Sequence, residues 1–272
     1  MSQGLVAHLR LAFEEWGEPG SRRIVCLHGV RNHGRHFAPL AARLSGYHVL
    51  APDLLGHGHS PWEPPWDIGT HLDAIVETVG ARESILVGHS FGDRLASELA
   101  ARAPKLVPKL VLLDPAILLP GHVALAAAEN ARVDKSYVSF DELIERRYDE
   151  SQLHHAPREL VVEDLASHVE TGDDGRVRYR YCQSAVVAAY GEMASTPPRF
   201  EDVRVPTLLV LGERSYLPYD HLLDAHREAL GELLQVVVVP GGHSVTWDAL
   251  EETSSAIAAF LGQPQSSAAA PA

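Results

Sequence analysis

Three short segments hold residue types suited to nucleophilic catalysis. The first is Gly88-His89-Ser90-Phe91-Gly92, which follows the apolar run 85–87 and precedes the helical pattern 94–101. A Gly-x-Ser-x-Gly turn between a strand and a helix holds its serine in a strained backbone conformation and exposes Oγ near the positive end of the helix. The glycines let the strand and helix backbones come close. The second segment, Leu27-His28-Gly29-Val30, ends another apolar run in a sharp turn. The N–H of Val30, with that of Phe91, would supply two donors to an oxyanion beside Ser90. His28 reads as a residue that orders this loop and not as a reacting group. The third segment, Pro240-Gly241-Gly242-His243, follows the run 234–239. A histidine on a glycine-softened loop downstream of the serine suits a general base, which sets His243 apart among the 16 histidines.

These turns need a scaffold, and the pattern around them predicts one. Short, nearly continuous apolar runs at 24–27, 47–51, 85–87, 110–113, 207–211 and 234–239 suit strands covered on both faces. Helical patterns at 37–44, 68–79, 94–101, 221–230 and 249–261 alternate with them, which implies a mostly parallel sheet with right-handed crossovers. Residues 5–13 alternate roughly and read as an edge strand. The interval 114–205 breaks the rhythm. Its patterns at 118–132, 140–148, 157–168 and 183–193 are helical, and GDDG at 172–175 followed by RVRYRY suggests a small extended piece. Such an insertion is most simply a cap over one edge of the sheet. Residues 1–115 and 203–262 then form the core, 116–202 a mainly helical cap, and 263–272 a low-complexity disordered tail.

Composition sets outer limits. The 272 residues carry a net charge of −13, which argues against nucleic acid or an anionic membrane surface as the main partner. Two cysteines, Cys26 and Cys182, make no disulfide framework and point to a reducing, cytoplasmic setting. No secretory signal and no apolar stretch long enough to insert in a membrane is visible.

On GHSFG, LHG and GGH, together with APDLLGHGHS at 51–60, LVLLDP at 110–115 and LLVLGE at 208–213, the chain resembles the capped α/β-hydrolase superfamily over nearly its whole length. The resemblance implies an α/β fold with a mostly parallel central sheet of about eight strands flanked by helices, and a helical cap inserted after the sixth strand. It implies no cofactor and no metal. Because one fold hosts many chemistries, it is weakly specific for substrate. A serine at position 90 disfavours the dehalogenase and epoxide-hydrolase branches, which are similar but place an aspartate there.

The resemblance fails at one position. The family's triad acid most often lies three residues after the glycine that ends the strand at 207–211, and here that residue is Ser215. A serine cannot carry the charge that stabilises an imidazolium. Some members take the acid from the end of the preceding strand, which in this chain is Asp114. Asp114 is therefore the first candidate, with Asp220 and Glu213 as others and a triad without acid as a further alternative.

Several other residues have plainer readings. Asp93 and Asp248 sit where a carboxylate favours a helix start. His57 and His59 with Asp53 have the types but not the spacing of a metal site, and their glycines mark a turn. His154 and His155 read as a solvated helix end. Arg176, Arg178 and Arg180 read as a solvated strand face that could also hold a carboxylate. Together the sequence points to a serine hydrolase using Ser90, His243 and Asp114, with Val30 and Phe91 as oxyanion donors. Its partner would be a small-molecule ester or acyl compound. The Ala-, Val- and Leu-rich cap segments suggest an apolar pocket. Rival readings are a hydrolase of the carbon–carbon bond in a vinylogous diketone, and a non-catalytic ligand receptor or inactive relic on the same fold.

Overall fold

The structure, a computed structural model, describes residues 9–262. Seven strands form the main sheet: β1 (Phe13–Trp16), β2 (Arg22–Leu27), β3 (Tyr47–Pro52), β4 (Ile85–His89), β5 (Leu110–Leu113), β9 (Thr207–Gly212) and β10 (Leu234–Val239). Their spatial order is β1-β3-β2-β4-β5-β9-β10, with β1 antiparallel to β3 and the others parallel. Successive residues of each central strand enter opposite cores. Val25 and Leu27 join one cluster and Ile24 and Cys26 the other; Leu110 and Leu112 oppose Val111 and Leu113 in the same way. One face is covered by α2 (Ile68–Val79) and α3 (Phe91–Arg102), the other by α1 (Ala38–Ala41) and the helix Leu250–Gly262.

Three expectations need correction. The main sheet has seven strands among the described residues, not eight, and the edge strand lies at Phe13–Trp16 instead of 5–13, the first part of which lies outside the described residues. The cause is visible in the backbone. The N–H groups of Leu9, Leu11 and Ala12 donate to Glu77 Oε2, Thr78 Oγ1 and Ser60 Oγ, so they are unavailable to a strand ladder. With five strands of the described chain ahead of it, the large insertion also follows the fifth strand and not the sixth. The tail at 263–272 lies outside the described residues.

The segment between β5 and β9 holds α4 (Gly121–Ala131), α5 (Phe140–Ser151), α6 (Arg158–Ala166) and α7 (Gln183–Ala194). It also contains a three-stranded antiparallel sheet of β6 (Ser136–Tyr137), β8 (Val177–Tyr179) and β7 (Val169–Thr171). The GDDG turn makes the β7–β8 hairpin, with Gly175 at φ +73°. This segment has its own apolar cluster, built from residues such as Leu143, Ile144, Val161 and Leu165, and Trp247 from the core reaches into it. Of the described residues, no helix is long and apolar enough to cross a membrane.

Candidate active site

The parallel register aligns the carboxyl ends of the central strands. Leu27 pairs with Gly88, His89 with Leu113, Leu113 with Val210, and Gly212 with Val239. The loops leaving these ends therefore gather Val30, Ser90, Asp114, Ser215 and His243 at one edge. The chain runs from β2 out to β3 and returns to β4 on the other side of β2, so the loops after β2 and β4 flank the crevice where an open α/β sheet receives ligands.

Ser90 stands between β4 and α3 with φ +57° and ψ −114°. This backbone region costs a non-glycine residue roughly 1–3 kcal/mol and is held by its surroundings. Here those surroundings admit only glycine on either side. A Cβ on Gly92 would lie 1.9 Å from the Leu27 carbonyl oxygen, and one on Gly88 would lie 2.5 Å from the Asp93 Cα. Gly29 is equally constrained, since its Cβ would meet the Ser90 Cβ at 2.8 Å. Val30 and Ser90 consequently share one pocket wall. Phe91 opens α3, so its N–H has no carbonyl one turn earlier to bind.

His243 Nδ1 lies 2.7 Å from Asp114 Oδ2, with the two side chains 10% and 3% exposed. The Gly212 N–H donates to the other oxygen of Asp114 at 2.9 Å, and the Ser215 hydroxyl donates to Oδ2 at 2.5 Å. Asp114 itself adopts φ +51°, a left-handed conformation that aspartate tolerates better than most residues. Glu213 and Asp220 are exposed, and neither is hydrogen-bonded to His243.

Neighbouring histidines fix the loops. The Leu54 N–H donates to His28 Nε2 at 2.8 Å, so His28 carries its proton on Nδ1 and gives it to the Gly29 carbonyl at 2.7 Å. Burial pushes the His28 pKa down to about 3, which agrees with a neutral ring. His89, the variable residue of the GHSFG turn, donates from Nε2 to the His243 carbonyl at 3.0 Å and so ties the serine turn to the histidine loop.

The carboxylates read as helix starters do more than that. Asp248 Oδ1 accepts the N–H groups of His154, His155 and Ala156 at 2.9, 3.0 and 3.1 Å, while Oδ2 accepts that of Gly242 at 3.0 Å. The histidine loop is thereby pinned to the inserted segment, and His154 and His155 are anchored through their backbones. Asp93 is fully buried. Its Oδ1 accepts the Leu113 N–H at 3.0 Å and its Oδ2 has no partner among the described residues. Burial raises its pKa well above the usual carboxylate range.

Asp53 spends its oxygens on the N–H groups of Gly34 (2.7 Å) and His59 (2.9 Å), and His57 Nδ1 donates to the Leu55 carbonyl at 3.0 Å. Among the described residues no cluster of histidine, cysteine or acidic side chains is arranged to hold a metal ion. Arg176, Arg178 and Arg180 bind Ser136, Asp174 and Glu170 within the small sheet and line no part of the Ser90 pocket.

A cavity of about 190 Å³ opens above Ser90 and His243. Part of its lining is apolar, with Leu119, Val123, Ala127 and Met193, as the composition of the insertion suggests. Another part is not: Arg31, Asn32, Arg147 and Tyr190 make it polar and cationic.

The sequence matches the alpha/beta hydrolase family over residues 24–256. The chain belongs to that family. Among curated relatives, lipase LipV of Mycobacterium tuberculosis is 33% identical over 260 residues, spanning 93% of this chain and 98% of the lipase. The 2-(acetamidomethylene)succinate hydrolase of Mesorhizobium japonicum is 32% identical over 244 residues and 86% of each chain. A crystal structure of E-2-(acetamidomethylene)succinate hydrolase superposes with a TM-score of 0.83 at 24% identity over 93% of this chain and 95% of that one, a likeness of fold.

This α/β hydrolase is thus an enzyme of a hydrolytic family, with a site whose supports the sequence signalled unevenly. His89 was in view as part of the serine turn. Arg31, one residue beyond the expected oxyanion donor, has φ +61°, which no sequence pattern announces. Arg147 and three of the four donors to Asp248 depend on contacts between residues about a hundred positions apart, and the sequence carries no local signal for them.

Proposed function

We propose that Ser90, His243 and Asp114 form the triad of a serine hydrolase that cleaves a carboxylic ester or closely related acyl bond of a small molecule. The observation that carries this reading is the His243 Nδ1 to Asp114 contact of 2.7 Å beneath a cavity that Ser90 also lines. With Nδ1–H committed to Asp114, the Nε2 lone pair of His243 is the base. It takes the Ser90 proton as Oγ attacks the acyl carbon, and the N–H groups of Val30 and Phe91 bind the oxyanion. His243 then returns the proton to the departing oxygen or nitrogen, leaving an acyl-enzyme. Water, deprotonated by His243, attacks that intermediate; Ser90 regains its proton and the acid leaves.

In this reading residues 116–202 act as a cap that roofs the cavity, and 1–115 with 203–262 form the catalytic core. The names of two relatives, a lipase and a hydrolase of an acetamido-substituted succinate, support ester- and amide-type acyl substrates. The two free cysteines suit a reducing, cytoplasmic setting. A fluorophosphonate probe followed by peptide mass spectrometry tests the nucleophile. Labelling of Ser90 in the native chain, lost in Ser90→Ala, is the expected result, and folded native protein that stays unlabelled overturns it.

A further inference from the structure

The cationic wall of the cavity is built in an unusual way. Arg147 projects from α5 and is only 8% exposed. Its Nη2 donates to Asn32 Oδ1 at 2.8 Å, and its guanidinium lies 5.7 and 5.4 Å from the ring centres of Tyr179 and Trp247. Its Nε has no hydrogen-bond partner among the described residues. Arg31 reaches the same cavity and donates to the Tyr190 hydroxyl at 3.2 Å. Neither guanidinium has a carboxylate within ion-pair distance among the described residues, whereas buried Arg94 has Glu98 at 3.0 Å. The acidic residue on the cavity wall, Glu150, is occupied by Lys135 at 2.9 Å and by the Tyr137 hydroxyl at 3.2 Å.

Burying a guanidinium without a counter-charge is unfavourable, and leaving one of its N–H donors unmet adds to the cost. Arg147 is such a cation, and half-buried Arg31 adds a second positive charge to the lining of the same cavity, in a chain with net charge −13. The left-handed backbone of Arg31 is likewise strained, and it falls directly after the Val30 donor. A planar anion with two oxygens matches the fork of a guanidinium and would supply the counter-charge that both arginines lack among the described residues.

We propose that this wall is a carboxylate-binding site: Arg31 and Arg147 hold a carboxylate of the substrate while its acyl group lies over Ser90. The inference rests on Ser90 being the nucleophile. It makes the substrate a short acyl compound with an anionic end instead of a wholly apolar ester.

The test compares monomethyl esters of succinate, glutarate and adipate with the matching methyl esters whose free carboxylate is replaced by a primary amide. The ratio of kcat/KM, acid over amide, is expected to exceed about ten for at least one chain length, the scale of one charge-assisted hydrogen bond. Arg31→Gln and Arg147→Gln should each lower that ratio about tenfold, and Arg31→Lys should keep part of it. Among the described residues Arg31 bonds only Tyr190 through its side chain, so its variants carry the test if Arg147→Gln does not fold.

A ratio near one at every length, with Ser90 labelled by fluorophosphonate, overturns the carboxylate site and leaves the hydrolase reading standing. If Ser90 is unlabelled, the hydrolase reading fails, and calorimetric titration with glutarate decides the site. Binding that weakens about tenfold in Arg31→Gln supports it, and no binding to the folded native chain overturns it.

Discussion

The Ser215 hydroxyl donates to Oδ2 of Asp114, the same oxygen that faces His243 Nδ1. The residue standing where the family most often keeps its acid thus supports a carboxylate supplied by the neighbouring strand. Gly212 ends β9 and Ser215 lies in the turn after it, so this one strand end holds both oxygens of Asp114.

Asp114→Asn is expected to lower ester turnover by about 10⁴, because an amide in this place favours the wrong tautomer of His243. Circular dichroism should show the fold intact. Glu213→Gln and Asp220→Asn should stay within about twofold of the native rate, as expected for exposed sites away from the chemistry. Ser215→Ala, which removes one of the bonds holding Asp114, should cost about three- to tenfold in kcat. A native rate in Asp114→Asn would rule out the proposed triad.

Asp248→Ala leaves four backbone donors without their acceptor. Urea unfolding should register a loss of about 3 kcal/mol or more. Turnover should fall as well, since Gly242 precedes His243. A variant as stable as the native chain would show that water replaces the carboxylate without loss.

Stability should decline as the medium becomes acidic. Burial holds the His28, His57 and His71 pKa values down to about 3, while in the unfolded chain they lie near 6.5. Between these values the unfolded state binds protons that the native state refuses. The stabilisation is therefore complete above about pH 6.5 and is lost as pH falls toward 3, by about 1.4 kcal/mol per pH unit for each such group. Urea midpoints measured from pH 7.5 to 4.5 should fall continuously, and His57→Gln should reduce the slope by about one proton. Midpoints independent of pH in this range would contradict neutral buried histidines.

Asp93 has the opposite sign. Its raised pKa means that the native state holds a proton the unfolded chain has released, so its contribution is lost as pH rises above about 3.9. Asp93→Asn keeps the acceptor for the Leu113 N–H and removes the ionisation. It should raise the thermal midpoint at pH 8, with the gain shrinking toward pH 4. An equal or lower midpoint at pH 8 would show that Asp93 is ionised in the native chain.

The alternation of strand and helix is written locally and was legible: buried strands are continuous apolar runs, and GHSFG, LHG and GGH each need glycine where backbones nearly touch. Helix ends were less so. The pattern at 37–44 gives only one α turn after a 3₁₀ turn at Gly34–Phe37, because the next N–H groups bond three residues back. Choosing among Asp114, Asp220 and Glu213 required knowing which strand end faces His243, a fact of sheet order. Arg147 was hidden for a related reason. Its partner Asn32 is 115 residues away, in the loop after β2, while Arg147 lies within the inserted segment itself.

Trp247 stands four residues after His243, yet it belongs to the apolar cluster of the inserted segment and touches Arg147 and His36. The cavity lining and the loop that carries His243 therefore share one piece of packing. Exchanging the whole insertion with that of a relative would remove the floor on which the histidine loop rests. Replacing the inserted segment should therefore disturb the position of His243 as well as the lining of the cavity.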